Sequence, residues 1–91
     1  MSQSALPTAL LVEDSRIVRE YIAAFLRRMN FQVLTTGDGV RALELLAHHP
    51  VDLIVTDLNM PSMDGLMFID RLRAHRSFQN IPILVMTSVQ N

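Results

Sequence analysis

Val51-Asp52-Leu53-Ile54-Val55-Thr56-Asp57 is an apolar run of strand length that ends on a carboxylate. A second run, Ala9-Leu10-Leu11-Val12, closes on two, Glu13 and Asp14. Short continuous aliphatic runs of this kind suit the buried strands of a parallel sheet. Carboxylates at the carboxyl ends of such strands converge on one edge of the sheet, the edge where ligands bind in α/β proteins. The two runs together predict an acidic site carried by a parallel sheet.

Working outward, helical stretches separate the strands. Ser15 to Met29 reads as a helix, with Ile17, Tyr21, Phe25 and Met29 four residues apart and Val18, Ile22 and Leu26 beside them. Ser15 is a start signal, and Arg27 and Arg28 suit the negative end of the helix dipole. Phe31 to Thr36 reads as a strand whose alternation fits a partly covered edge position. Gly37-Asp38-Gly39 follows the second strand and lacks the third glycine of a dinucleotide-binding loop, so it reads as a turn; no phosphate-cradling glycine loop follows the first strand, which argues against an unrelated nucleotide binder. Val40 to His49 reads as a second helix with Leu43, Leu46 and Ala47 inward, stopped by Pro50. Pro61 to Gly65 is a loop, Leu66 to His75 a third helix, and Ile81 to Thr87 a fourth strand. Alternating strands and helices predict an α/β fold with helices on both faces of a parallel sheet.

Two elements look written for neighbours. The fourth strand is apolar on both faces, with Ile81, Ile83 and Val85 on one and Leu84 and Met86 on the other, as befits a sheet interior. The first helix carries a wider apolar surface than one sheet contact requires.

Composition narrows the function. The 91 residues are 49% hydrophobic with a net charge of −1, so the chain is globular and offers no electrostatic reason to bind nucleic acid or an anionic membrane. There is no cysteine, hence no disulfide and no thiolate metal site. Met1 to Pro7 has neither the basic start nor the apolar core of a signal peptide, and no run is long enough to span a bilayer. A soluble cytoplasmic protein is the expectation.

Any single strand-end acid would ordinarily be a solvated turn residue or a helix cap, and Asp14 could cap the first helix. Acids ending two strands, with Thr87 ending a third, favour a site. Carboxylates gathered at one edge repel one another unless a cation lies between them, and an all-oxygen donor set suits Mg²⁺. His48-His49 and His75 fall at helix ends, where a dipole contact is the simpler reading. Met60, Met63 and Met67 read as loop and core fillers.

Val12-Glu13-Asp14-Ser15, Val55-Thr56-Asp57-Leu58-Asn59-Met60-Pro61-Ser62-Met63-Asp64-Gly65 and Pro82-Ile83-Leu84-Val85-Met86-Thr87-Ser88 resemble the receiver domain of two-component response regulators, of the chemotaxis-regulator type. The resemblance covers about Ala9 to Ser88. It implies a flavodoxin-like, doubly wound parallel sheet with about four strands and three helices here. It implies two segments: a tail over 1–7 and a receiver over 8–91. It implies a phosphoacceptor and not an enzyme. Asp57 matches the phosphoacceptor; Asp14 matches the direct Mg²⁺ ligand; Glu13 matches the acid that assists, often through water. Asn59 matches the position whose backbone carbonyl completes the metal site. Thr87 matches the hydroxyl that contacts the phosphoryl group, and Ser88 the small residue beside it. The implied partner is a sensor histidine kinase or a histidine phosphotransfer protein.

The family continues into a fourth helix, a fifth strand ending in a lysine, and a fifth helix. Within these 91 residues there are eight arginines and no lysine, so the catalytic lysine has no match. The chain is therefore expected to be a receiver truncated after its fourth strand, with intact acids and impaired switching. Its uncovered apolar surface is expected to drive association into a homodimer or larger assembly, through the open edge at Ile81–Thr87 and the first helix. A fragment whose main property is self-association, or complementation by another chain, is the alternative.

Overall fold

Seven elements alternate along the chain: β1 (Thr8–Val12), α1 (Arg16–Arg28), β2 (Gln32–Thr36), α2 (Gly39–His48), β3 (Leu53–Asp57), α3 (Gly65–Ala74) and β4 (Ile83–Met86). The structure is a computed structural model that describes residues 6–59 and 63–86. The strands form one parallel sheet in the order β2-β1-β3-β4. This is the flavodoxin-like arrangement expected.

The order follows from which strands can be buried. β1 is aliphatic from Ala9 to Val12, and all four residues are fully buried at the centre of the sheet. β2 alternates in character and lies at one end, partly covered. Because successive side chains of a strand point to opposite faces, the sheet feeds two cores. Leu10, Val12 and Ile54 pack with Ala42 and Leu46 of α2 and Phe68 and Leu72 of α3. Ala9, Leu11 and Val55 pack with Ala23 and Leu26 of α1. The helices thus cover both faces, as the alternation predicted.

Each helix begins at the carboxyl edge of the sheet with a side chain closing its first turn. Ser15 Oγ accepts from the Val18 amide at 3.3 Å, Asp38 Oδ1 from the Arg41 amide at 2.7 Å, and Asp64 Oδ1 from the Met67 amide at 2.9 Å. Such caps satisfy amides that the helix leaves without partners. Ser15, not Asp14, caps α1, which leaves the Asp14 carboxylate available for other work. At the opposite edge Thr8 and Asp52 bind each other twice. The Asp52 amide donates to the Thr8 carbonyl, and the Thr8 amide donates to Asp52 Oδ2, each at 2.8 Å.

Several expectations are corrected. In α2 the buried residues are Gly39, Ala42 and Leu46, and Ala47 is exposed. The helix starts one residue earlier than read, and its stripe runs along a spacing of four from residue 42. Met63 joins the core, whereas Met67 is exposed and Met60 lies outside the described residues. β3 begins at Leu53 rather than Val51, and β4 begins at Ile83 rather than Ile81; the far end read at Thr87 lies outside the described residues.

The two elements read as seeking neighbours are open among the described residues. On α1, Ile17 is 81% and Tyr21 78% exposed, with Phe25 and Met29 more than half exposed beside them. β4 stands at the end of the strand order, with Leu84 more than half exposed. No described helix is long and apolar enough to cross a membrane.

Candidate metal centre

The parallel register of β1 and β3 sets Val12 opposite Thr56. The next residues along each strand, Glu13 and Asp57, therefore emerge side by side at the carboxyl edge, with Asp14 one step on. One carboxylate oxygen from each of Glu13, Asp14 and Asp57 lies within 4.8 Å of the others. Glu13 is 5% and Asp57 9% exposed, whereas Asp14 faces solvent.

Backbone amides hold these carboxylates in place. The Glu13 amide donates to the Thr36 carbonyl at 2.9 Å, tying the residue to the end of β2. Glu13 Oε2 accepts from the Ser15 amide at 2.9 Å. Asp57 Oδ1 accepts from the Asn59 amide at 3.3 Å, and Thr56 Oγ1 donates to the Asp57 carbonyl at 3.0 Å. The side chain of Arg19, on α1, reaches back so that Nη1 donates to the Glu13 carbonyl at 2.8 Å.

The electrostatics of the cluster register in Glu13. Burial raises its carboxyl above the ordinary value of 4.5, the Ser15 amide pulls it back, and the neighbouring Asp57 and Asp14 raise it again. Two unit charges of one sign about 4 Å apart repel by roughly 4 kcal/mol near a protein surface. A divalent cation placed among them turns that repulsion into attraction. The donor set is entirely oxygen, with both buried acids flanking an exposed one, and this fits a hard divalent ion that keeps part of its water.

The structure thus brings together Glu13, Asp14 and Asp57, and seats the Asn59 backbone against Asp57. Thr87 and Ser88 lie outside the described residues. His48 and His75 occupy helix ends as read; His75 stacks on Phe78 with ring centroids 4.3 Å apart and takes no part in the cluster. Sequence reasoning passed over Arg19, and it placed Gly65 in a loop and in the motif without giving it a role. An arginine on a helix surface has too many ordinary uses to stand out. Asp64-Gly65 ahead of a helical run is a readable signal, a cap followed by a residue without a side chain.

A four-stranded parallel sheet with helices on both faces and three carboxylates gathered at its carboxyl edge defines a flavodoxin-like α/β fold with an acidic edge. Residues 9–91 match the family model described as the response regulator receiver domain, and the chain belongs to that family. It is 40% identical over 86 residues to the sensor histidine kinase TmoS of Ectopseudomonas mendocina, covering 94% of this chain and 9% of that protein. It is 39% identical over 83 residues to the two-component response regulator ORR11 of Oryza sativa, covering 90% of this chain and 56% of that protein. Its structure superposes on the chemotaxis response regulator CheY4 of Vibrio cholerae with a TM-score of 0.87 at 30% identity, covering 94% of this chain and 72% of that one. The chain spans little more than half the length of ORR11 and a small part of TmoS.

Proposed function

We propose that this chain is the phosphoacceptor module of a two-component phosphorelay, with Asp57 receiving the phosphoryl group in a Mg²⁺-dependent reaction. The observation that carries this reading is the convergence of Glu13, Asp14 and Asp57 at the carboxyl edge of the sheet. Asp14, Asp57 and the Asn59 backbone carbonyl would hold the ion, with Glu13 acting through water, and Thr87 and Ser88 would contact the phosphoryl group. The bound ion would neutralise charge between the anionic donor and the acidic site, which is most of what phosphoryl transfer requires.

The chain's own residues do the rest. The Asp57 carboxylate is aimed by the Asn59 amide and screened from bulk water by its burial. One of its oxygens attacks the phosphorus of a phosphohistidine on a kinase or phosphotransfer partner. The O–P bond forms as the N–P bond breaks, and the partner's histidine, already protonated on its other ring nitrogen, leaves as neutral imidazole. The product is an acyl phosphate, so the chain acts as a stoichiometric acceptor rather than an enzyme, in the cytoplasm where such relays operate.

Incubation with Mg²⁺ and acetyl phosphate tests the reading. Intact mass should rise by one phosphoryl group, and the gain should vanish in Asp57→Ala and in excess chelator. An unmodified mass at high donor concentration overturns it.

A second reading, self-association into a dimer, is favoured by the exposed apolar stripe of α1 and the exposed Leu84 of β4. It is compatible with the first and concerns a different surface.

A further inference from the structure

Of the eight arginines, all of them described, Arg19 alone is partly buried; the other seven are exposed. Among the described residues its guanidinium makes no ion pair; the pairs present join Arg16 to Glu20 and Arg41 to Glu44. Instead Nη1 donates to a neutral acceptor, the carbonyl of Glu13, at 2.8 Å. That carbonyl belongs to the peptide linking the two acids that end β1. The space for the guanidinium comes from Gly37: a Cβ there would sit 3.2 Å from Arg19 Nη1, 3.7 Å from Asp14 Cα and 3.8 Å from the Glu13 carbonyl oxygen. The Glu13 amide is meanwhile bound to Thr36. Both polar groups of the Glu13 backbone are therefore tied, one to β2 and one to α1.

We infer that Arg19 is a positioning residue of the acidic site, its guanidinium clamping the Glu13–Asp14 peptide against Gly37 so that both carboxylates face the cation. The inference rests on the metal-dependent reading above for its purpose, while the clamp itself is a property of the metal-free chain. A freed peptide could rotate, and two like-charged side chains would then swing apart. Contacts that orient ligands without touching the ion are worth about 10- to 100-fold in metal affinity. Because Arg19 pairs with no carboxylate, its effect is on direction rather than on charge.

The test uses Arg19→Ala, Arg19→Lys and Gly37→Ala, the last leaving every polar group in place while crowding the guanidinium. Two readouts are taken: Mn²⁺ affinity by water-proton relaxation, and amide hydrogen exchange in chelator, comparing Ser15 with Leu11 and Val55 in the core. Arg19→Ala should weaken Mn²⁺ binding about tenfold and speed exchange at Ser15 while Leu11 and Val55 keep their protection. Arg19→Lys should recover part of both, and Gly37→Ala should move both in the same direction by less. Unchanged affinity and unchanged Ser15 exchange in a folded Arg19→Ala protein overturn the inference. So does exchange that accelerates equally at all three amides. Should Arg19→Ala fail to fold, Gly37→Ala decides, and wild-type behaviour there overturns it. If the unsubstituted protein binds no Mn²⁺, the metal reading fails, and Ser15 exchange still judges the clamp.

Discussion

Gly65 and Asp57 approach so closely that a Cβ on residue 65 would stand 2.5 Å from the Asp57 carbonyl oxygen and 2.5 Å from Leu58 Cα. The Gly65 amide donates to the Leu58 carbonyl at 2.7 Å, which draws the start of α3 onto the end of β3. No glycine here has a positive φ, so it is the missing side chain and not an unusual backbone that the position requires.

Gly65→Ala should therefore push α3 away from the strand that carries Asp57. A clash against the Asp57–Leu58 backbone cannot be relieved by rotating a side chain, and overpacking of this kind costs about 1–3 kcal/mol. Thermal melting should show the loss, and phosphorylation by a small donor should slow with it. A variant that melts and reacts like the parent would contradict the packing described.

Glu13 supplies a pH signature. Its carboxyl titrates above 4.5 in the folded chain, chiefly through burial, so the folded form holds this proton more tightly than the unfolded form does. Its contribution is then complete below the unfolded value and is lost as pH rises through the folded one. In chelator, Glu13→Gln should be more stable than the parent at neutral pH, and the gap should close on acidification below the ordinary glutamate range. Saturating Mg²⁺ should shrink the advantage at neutral pH. Melting curves across pH, with and without the ion, check both statements; a gap that widens in acid would refute the assignment.

Asp38 and Asp14 both sit at the site edge but perform different work. Asp38 caps α2 and lies outside the carboxylate cluster. Asp38→Ala should lower stability by about 1 kcal/mol and leave Mn²⁺ affinity alone. Asp14→Asn should do the reverse, abolishing ion binding while stability in chelator holds or rises as one charge leaves the cluster. Equal effects of both substitutions on Mn²⁺ affinity would merge two roles that the structure separates.

The open face of α1 should make association depend on concentration. Ile17, Tyr21, Phe25 and Met29 form a stripe of large exposed apolar side chains, the kind of patch that marks an interaction surface. Sedimentation of the 91-residue chain should show dimers or larger species that shift toward monomer in Tyr21→Glu/Phe25→Arg. A folded monomer at every concentration would remove the self-association reading and leave the phosphoacceptor reading standing.

Much of the fold was legible because β1 and β3 are continuous aliphatic runs and each ends on an acid. The site acids followed from the same runs, since parallel strands deliver their last residues to a common edge. The inward face of α2 was less legible. Leu43, Leu45 and Leu46 offer three neighbouring apolar directions, and only the packing of Gly39 against Met63, with 3.0 Å from a Cβ at residue 39 to the Met63 sulfur, selects the stripe through Ala42 and Leu46. Arg19 was illegible for a related reason. Its partner is a backbone carbonyl, and backbone acceptors leave no mark on residue identity.

Asp52 and Asp57 occupy the two ends of the run that forms β3, one facing Thr8 and the other facing Glu13 and Asp14. The two hydrogen bonds between Thr8 and Asp52 act as an alignment mark at the far side of the sheet. A slip of one residue would separate that pair and turn residue 57 toward the opposite layer of the protein. The acids that meet at the site are separated along the chain by α1, β2 and α2, so no unfolded or misaligned chain can gather them. Cation affinity would then serve as a gauge of strand alignment, and an acid remote from the ion would set the zero of its scale.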